Sequence, residues 1–439
     1  MKKILHIQLL PLLSGVQRFS LHLLAGLDRQ EFEIWVASKP GGEFVDEVKA
    51  QGYHYLPLPT FCHHISLLDF LTFLHLLWLM HKERFDIVHT NSSKPGLLGR
   101  LAARLCHVPL IVHTVHGTPF RNGQHFLTYG FYAALEYLGN KLGHITVFVN
   151  NSDRINCQKM ELLPKSKAKT IFNAIPLALQ SELAEIAKQR QMPEICRIGI
   201  LHYDSEECRN GILHYDSEEC RNGIRHYGSE ECRNGILHYD SEGCRIGILH
   251  YGSEDCRNGI LPYRDIVIGT TVRFSTQKNV IRLVATACRA CRKAPNLKFI
   301  ILGDGEHYAV CQAIVRSNNL GDRVLLPGWD KDIVPWLKVF NAFVLYSRWE
   351  AQPFSIIEAM SSGLPLICSA IPSIKELTAE NTAYLVALDD DTALEEVFVQ
   401  IATNFQPAFA KGKQAAEQIN ELCSYQHMVQ AYREIYLGR

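Results

Sequence analysis

Short apolar segments alternate with helical patterns along this chain in two separate runs, and that alternation restricts the fold more than any other feature. In the first run, residues 4–9 and 33–37 read as strands. Helical patterns at 16–27 and 45–51 follow them. Residues 87–90 and 110–114 read as strands around a helix at 96–105, and a further strand covers 145–150. In the second run, strands are expected at 266–271, 297–302, 324–326, 342–346 and 366–368, with an amphipathic helix at 280–289. Strand–helix alternation selects parallel sheets covered by helices on both faces. The fold class is therefore α/β, doubly wound in two domains. Ligands are expected beyond the carboxyl ends of the strands.

Between the runs lies a tandem repeat. Cys196, Cys208, Cys220, Cys232, Cys244 and Cys256 recur every 12 residues in a unit reading Cys-Arg-Asn-Gly-Ile-Leu-His-Tyr-Asp-Ser-Glu-Glu. Its Cys-x5-His spacing does not match that of zinc modules. Asn-Gly turns between Ile-Leu-His-Tyr segments allow a small stacked β array. One apolar group per unit is thin for a core, which favours a weakly ordered insert. Without about 65 inserted residues, roughly 370 remain, enough for two α/β domains.

The 439 residues carry no net formal charge, which argues against a nucleic-acid partner. The N-terminus shows no signal-peptide pattern. The most apolar stretch, 65–80, is too short to span a bilayer and contains Asp69 and His75. It reads as an amphipathic or buried helix, in a cytoplasmic protein that at most rests on a membrane face. Of the 14 cysteines, those outside the repeat are scattered, as in a reduced compartment. Cys288 and Cys291 form a C-x-x-C pair inside a helical pattern, where packing is the better reading.

The second run carries the chemistry. After the strand at 342–346 comes Ser347-Arg348-Trp349-Glu350-Ala351-Gln352-Pro353-Phe354-Ser355-Ile356-Ile357-Glu358-Ala359-Met360-Ser361-Ser362-Gly363-Leu364-Pro365. Pro353 suits the first turn of a helix, and Gly363 with Pro365 ends it. A helix start attracts phosphate, whereas carboxylates accept hydrogen bonds from hydroxyls. Together they describe a nucleotide sugar, with Glu350 taking sugar hydroxyls and Glu358 ribose hydroxyls. Two glutamates alone would be ordinary surface charge. Arg273 and Lys278 share a loop that holds no balancing acids and suit a diphosphate, although on local grounds alone two solvated bases are the better reading.

Three loops of the first run sit at strand ends. Ser14-Gly15-Val16-Gln17-Arg18 offers Gly15 for close backbone approach. His89-Thr90-Asn91-Ser92-Ser93-Lys94-Pro95-Gly96 offers hydroxyls and a lysine, with capping by Ser92 or Ser93 as the plain alternative. His113-Thr114-Val115-His116-Gly117 places His116 just past a buried strand. Ile171-Phe172-Asn173-Ala174-Ile175-Pro176 closes this run.

Ser-x-Trp-Glu, then Pro-Phe-Ser-Ile-Ile-Glu-Ala-Met, then Gly-Leu-Pro closely resembles the signature of family 4 glycosyltransferases, retaining enzymes of the GT-B fold. Arg273-x4-Lys278 matches the family's diphosphate grip, and Gly15 lies in a loop like the family's Gly-Gly-x-x-Arg. Ala351, Ser14, Val272 and Ala174 stand where the family commonly has glycine. The resemblance implies two Rossmann-like domains: 1–178 for the acceptor and 263–415 for the donor. A linker at 179–195, the repeat insertion at 196–262 and a C-terminal helix at 416–439 crossing back to the first domain complete the plan. It implies donor contacts at Gly15, Arg273, Lys278, Glu350, Ala351, Gln352, Pro353, Phe354 and Glu358, and acceptor contacts at Ser92, Ser93 and Lys94. His116, Arg273, Lys278 and Glu350 would serve catalysis, with no metal and no cofactor beyond the nucleotide-sugar donor. The acceptor would be a saccharide or lipid-linked saccharide of bacterial surface polysaccharide or lipopolysaccharide assembly, with peripheral contact at the inner membrane face. A sugar-nucleotide epimerase of the same fold, or a non-catalytic protein broken by the repeat, are the competing readings.

Overall fold

The computed structural model describes residues 1–62, 66–120, 124–192 and 265–439. The repeat lies outside the described residues. Two parallel sheets form the frame, as the alternation requires. The first contains β1 (Lys2–Ile7), β2 (Phe32–Ser38), β3 (His54–Pro57), β4 (Ile87–Asn91), β5 (Leu110–Val115), β6 (Ile145–Phe148) and β7 (Ala168–Thr170), in the order β3-β2-β1-β4-β5-β6-β7. The second contains β8 (Ile266–Thr271), β9 (Leu297–Leu302), β10 (Val324–Gly328), β11 (Ala342–Leu345), β12 (Leu366–Ser369) and β13 (Ala383–Val386), in the order β10-β9-β8-β11-β12-β13. Strand order reverses between β1 and β4 and again between β8 and β11. Those two crevices are where doubly wound sheets bind ligands.

Helices cover both faces of each sheet. The helix Val280–Lys293 shows how sequence sets packing: Val280, Leu283, Val284, Ala287, Cys288 and Cys291 recur at helical spacing and are all buried. A large apolar side chain buried this way contributes about 1.5–3 kcal/mol relative to exposure. Cys288 and Cys291 are free and buried, so packing is indeed their role here, and burial pushes the Cys291 thiol up to about 12.

The two sheets are linked at several places. The helix Leu177–Gln189 packs on the helices Phe354–Ser361 and Gln406–Leu422 of the second half. Arg190, just after it, donates to Ser362 O at 2.5 Å and to Phe340 O at 2.8 Å. The last helix, Tyr425–Leu437, returns to the first sheet. Its Tyr436 hydroxyl lies 2.6 Å from His89 Nδ1 and 3.1 Å from His6 Nε2. Its Tyr432 hydroxyl lies 3.0 Å from Thr114 Oγ1.

The apolar stretch around residue 70 differs from expectation. The helix Leu68–Glu83 is neither amphipathic nor buried. It packs Leu76, Leu79 and Met80 inward yet also shows apolar side chains to solvent. No helix among the described residues is long and apolar enough to cross a membrane.

Candidate active site

Arg273 sits in the turn after β8, and its backbone is held from both sides. Val272 N donates to Leu302 O, and Phe274 N donates to Asp304 O, each at 2.9 Å. The adjoining turn demands glycine. Gly303 has a φ of +132°, and a Cβ there would fall 1.8 Å from the Val272 carbonyl oxygen, so only a residue without a side chain fits. The Arg273 side chain itself is exposed and makes no hydrogen bond or ion pair among the described residues.

Lys278 is different: its own loop offers it no acid, as expected, but a second loop does. Its Nζ lies 2.5 Å from Glu350 Oε1. The balancing acid comes from the loop after β11, not from the lysine's own loop. The same two loops are joined by Gln277 Nε2 donating to Trp349 O at 3.0 Å and Arg348 N donating to Gln277 O at 2.8 Å.

Pro353 is the cap rather than a residue of the first turn: its ψ of 125° is extended, and the helix runs Phe354–Ser361. Ala351 O accepts from Asn150 Nδ2 at 3.2 Å. Gln352 is buried, and its amide faces the interdomain turn: Oε1 accepts from Asn173 N, while Nε2 lies 3.3 Å from Cys423 Sγ. Phe354 packs under the Arg18 guanidinium, 5.3 Å from the ring centre. Glu358 is 1% exposed, and its Oε1 accepts from Arg18 Nη2. Gly15, three residues earlier, has its Cα against Phe354, where an added Cβ would stand 3.8 Å from Cδ2. Thus the Gly15–Arg18 turn and the glutamate-bearing helix meet directly.

In the crevice beside β4, Ser92 precedes the helix Ser93–Leu105 but its side chain does not cap it. Its φ is +65°, a conformation that costs a non-glycine residue about 1–3 kcal/mol. Ser93, like Ser92, is half-buried. Lys94 turns toward Asp69, at 2.5 Å from Oδ1, and donates to Cys62 O at 2.7 Å.

His116 is half-buried just past β5, with Nε2 3.0 Å from Asn91 Oδ1. Nε2 therefore donates, and Nδ1 is the ring's acceptor. Burial lowers its pKa to about 3, so the ring is neutral. The Asn91 amide nitrogen has no partner among the described residues. Gly117, at φ +106°, faces Ala351: a Cβ on the glycine would be 3.4 Å from the alanine Cβ. The His116 loop and the Glu350 loop therefore close on each other across the cleft.

A further carboxylate spans the domains. Glu376 accepts from Asn151 N and Ser152 N, each at 2.6 Å, at the start of the helix Asn151–Lys159. Its charge also suits the positive end of that helix. The sequence reading gave no role to Arg18, Asn91, Asn150 or Glu376. Arg18 was legible, being in the quoted glycine loop. The others announce themselves only once the loops are folded together.

Comparison with known proteins gives a consistent result. The family model Glycosyltransferase Family 4 matches residues 13–179, and Glycosyl transferases group 1 matches 265–404. The Escherichia coli UDP-Gal:alpha-D-GlcNAc-diphosphoundecaprenol alpha-1,3-galactosyltransferase is 30% identical over 405 residues, 91% of this chain and 87% of that protein. The lipopolysaccharide 1,6-galactosyltransferase of Escherichia coli K12 is 33% identical over 102 residues, 22% of this chain and 27% of that protein. Among solved structures, Anabaena Alr3699/HepE in complex with UDP and glucose superposes with a TM-score of 0.70 at 13% identity, each chain covered completely. Sucrose-phosphate synthase from Thermosynechococcus elongatus gives 0.66 at 16% identity, again with full coverage of both chains. These structural likenesses speak to the two-domain GT-B fold.

Proposed function

The chain belongs to glycosyltransferase family 4, and from that premise we propose that this glycosyltransferase moves a hexose from a UDP-sugar to a lipid-linked saccharide, with retention at the anomeric carbon. The observation that carries the donor assignment is Arg273. Among the basic side chains of the loops after β8 and β11, Lys278 is met by Glu350 and Arg348 approaches Asp389 at 3.4 Å. Arg273 is left without a partner among the described residues. It stands at a switch point beside the loop that leads into the helix Phe354–Ser361, where a diphosphate would supply the missing anion. The galactosyltransferase relative supports UDP as the carrier and a diphosphoundecaprenol-linked sugar as the acceptor class.

Glu350, Ala351 and Pro353 would line the sugar and diphosphate, and Glu358 would meet the ribose through the oxygen that Arg18 leaves open. Ser92 and Ser93 would meet the acceptor. His116 would contact the transferred sugar as a neutral donor or acceptor. Double displacement needs a carboxylate at the anomeric carbon, yet Glu350, Glu358 and Glu376 are each engaged by partners. Departure and attack on one sugar face is the mechanism we favour, the leaving phosphate helping to take the acceptor proton. Arg273 and the helix start would stabilise charge growing on that phosphate. Because protein cations would meet this charge, transfer is expected to proceed in EDTA.

The test is incubation of UDP-hexoses with and without a lipid-linked saccharide. Transfer consumes donor only when acceptor is present. Change in the donor alone would mean an epimerase. Inertness of the full chain together with activity of a variant lacking residues 196–261 would identify the insertion as a lesion.

A further inference from the structure

Asn91 ends β4 in register with Thr114 of β5. Ser92, next along the chain, carries the positive φ of +65° that swings the backbone from β4 into the helix Ser93–Leu105. Asn91 is fully buried there, and its amide is only half used. Oδ1 lies 3.0 Å from His116 Nε2, while Nδ2 is sealed from solvent without a partner among the described residues. A buried donor left unpaired costs free energy that an apolar side chain of similar size would not. Asn91 is therefore a poor residue for packing alone. What it contributes is its one hydrogen bond, to His116.

The rest of the surroundings leave the choice of tautomer to that bond. Phe19, on the helix Gly15–Ala25, meets the His116 ring edge to face with centroids 4.7 Å apart and offers no hydrogen-bonding atom. The titratable neighbours are engaged elsewhere. His89 on β4 has Nδ1 2.6 Å from the Tyr436 hydroxyl and Nε2 2.8 Å from Thr114 Oγ1. His113 on β5 has Nδ1 2.9 Å from Thr90 Oγ1. Burial holds both rings neutral. Arg18, beside Phe19, is met by Glu358, and across the cleft Glu350 is met by Lys278. An amide oxygen can only accept, so Nε2 carries the proton. His116 Nδ1 keeps a free lone pair. It has no partner among the described residues, and it is not sealed from solvent as Asn91 Nδ2 is. A ring nitrogen in that state accepts from O–H or N–H groups and offers nothing to an oxyanion.

We propose that Asn91 is a positioning residue that fixes the Nε2–H tautomer of His116, so that Nδ1 recognises the transferred sugar by accepting from one of its hydroxyls. The tautomer stands on contacts within this chain. The sugar as the group recognised rests on the function proposed above. The consequence is a rule of specificity: the donor sugar must carry a hydroxyl at the contacted carbon, and fluorine, which cannot donate, is refused there.

Nitrogen–proton correlation spectra of the full chain with isotope-labelled histidines read the tautomer directly, the His116 signals being those lost in His116→Phe. The expected result at neutral pH is an uncharged wild-type ring with its proton on Nε2. Asn91→Leu should give a mixture of both tautomers. Its melting temperature should stay close to that of the wild type, because a buried unpaired donor has been removed. Asn91→Asp, which keeps the accepting oxygen, should retain the proton on Nε2. A wild-type proton on Nδ1, a charged wild-type ring, or an unchanged tautomer in Asn91→Leu would overturn the proposal. Should Asn91→Leu fail to fold, the wild-type and Asn91→Asp spectra decide in the same way. Transfer kinetics test the recognition. For the UDP-hexose that turns over, fluorine in place of one particular sugar hydroxyl should lower kcat/KM about tenfold in the wild type and far less in His116→Phe. The same losses in both proteins at every position would overturn it. If no UDP-hexose turns over, the proposed function falls while the tautomer result stands. Turnover with the wrong tautomer would do the reverse.

Discussion

Under the proposed function, Arg273 and His116 would divide the work between two side chains of opposite character. The guanidinium is exposed at the end of β8 with no partner among the described residues. Losing one such donor typically costs about 3 kcal/mol in the transition state. Arg273→Ala should therefore lower kcat/KM roughly a hundredfold in steady-state assays, with Arg273→Lys recovering part of the loss. His116 has the opposite character. With its pKa held near 3, it stays neutral across ordinary assay conditions. The pH–rate profile should accordingly show no ionisation near pH 6 that disappears in His116→Gln, and such an ionisation would contradict the neutral assignment.

At the scale of elements, the cleft is held together by contacts between loops. Glu376 anchors the helix Asn151–Lys159, and Glu376→Ala leaves two backbone N–H groups without their partner. The expected loss is about 1–3 kcal/mol by urea denaturation, together with a lower kcat and unchanged UDP affinity. Little of this was readable beforehand. The glutamate motif and the basic loop stood out because unusual residues concentrate in a few positions after β8 and β11. Glu376 sits in a short polar segment with no pattern, and its partners are over two hundred positions away. The strand misses have a similar cause. β3, β7 and β13 are sheet-edge strands of three or four residues with only partly buried patterns. They carry too little apolar signal to stand out. Central strands, buried on both faces, were found. The acid that meets Lys278 lies 72 positions further along the chain, beyond any local reading of charge.

For the molecule as a whole, stability should depend on acid in a defined direction. Burial lowers His6, His22 and His116 to about 3, and it holds His89 and His113 well below their ordinary value of 6.5. Below about pH 6.5 the unfolded chain binds protons that the folded chain refuses. Stability is therefore complete above that pH and declines as pH falls toward 3, by roughly 1 kcal/mol per pH unit for each such histidine, less where neighbours titrate together. Urea midpoints at pH 7.5 and 5.5 should differ markedly, and equal midpoints would refute buried neutral histidines. The cluster formed by His6, His89 and the hydroxyls of Tyr432 and Tyr436 ties the last helix to the first sheet. Acid should weaken that attachment too. All of these effects surround one central claim, that a nucleoside diphosphate is gripped where β8 meets β11. Calorimetric titration of UDP into the wild type, Arg273→Ala and Glu358→Gln tests it most directly. The expected result is binding by the wild type that is at least about tenfold tighter than by either variant, a difference of about 1.4 kcal/mol. Equal affinity in all three proteins would contradict it.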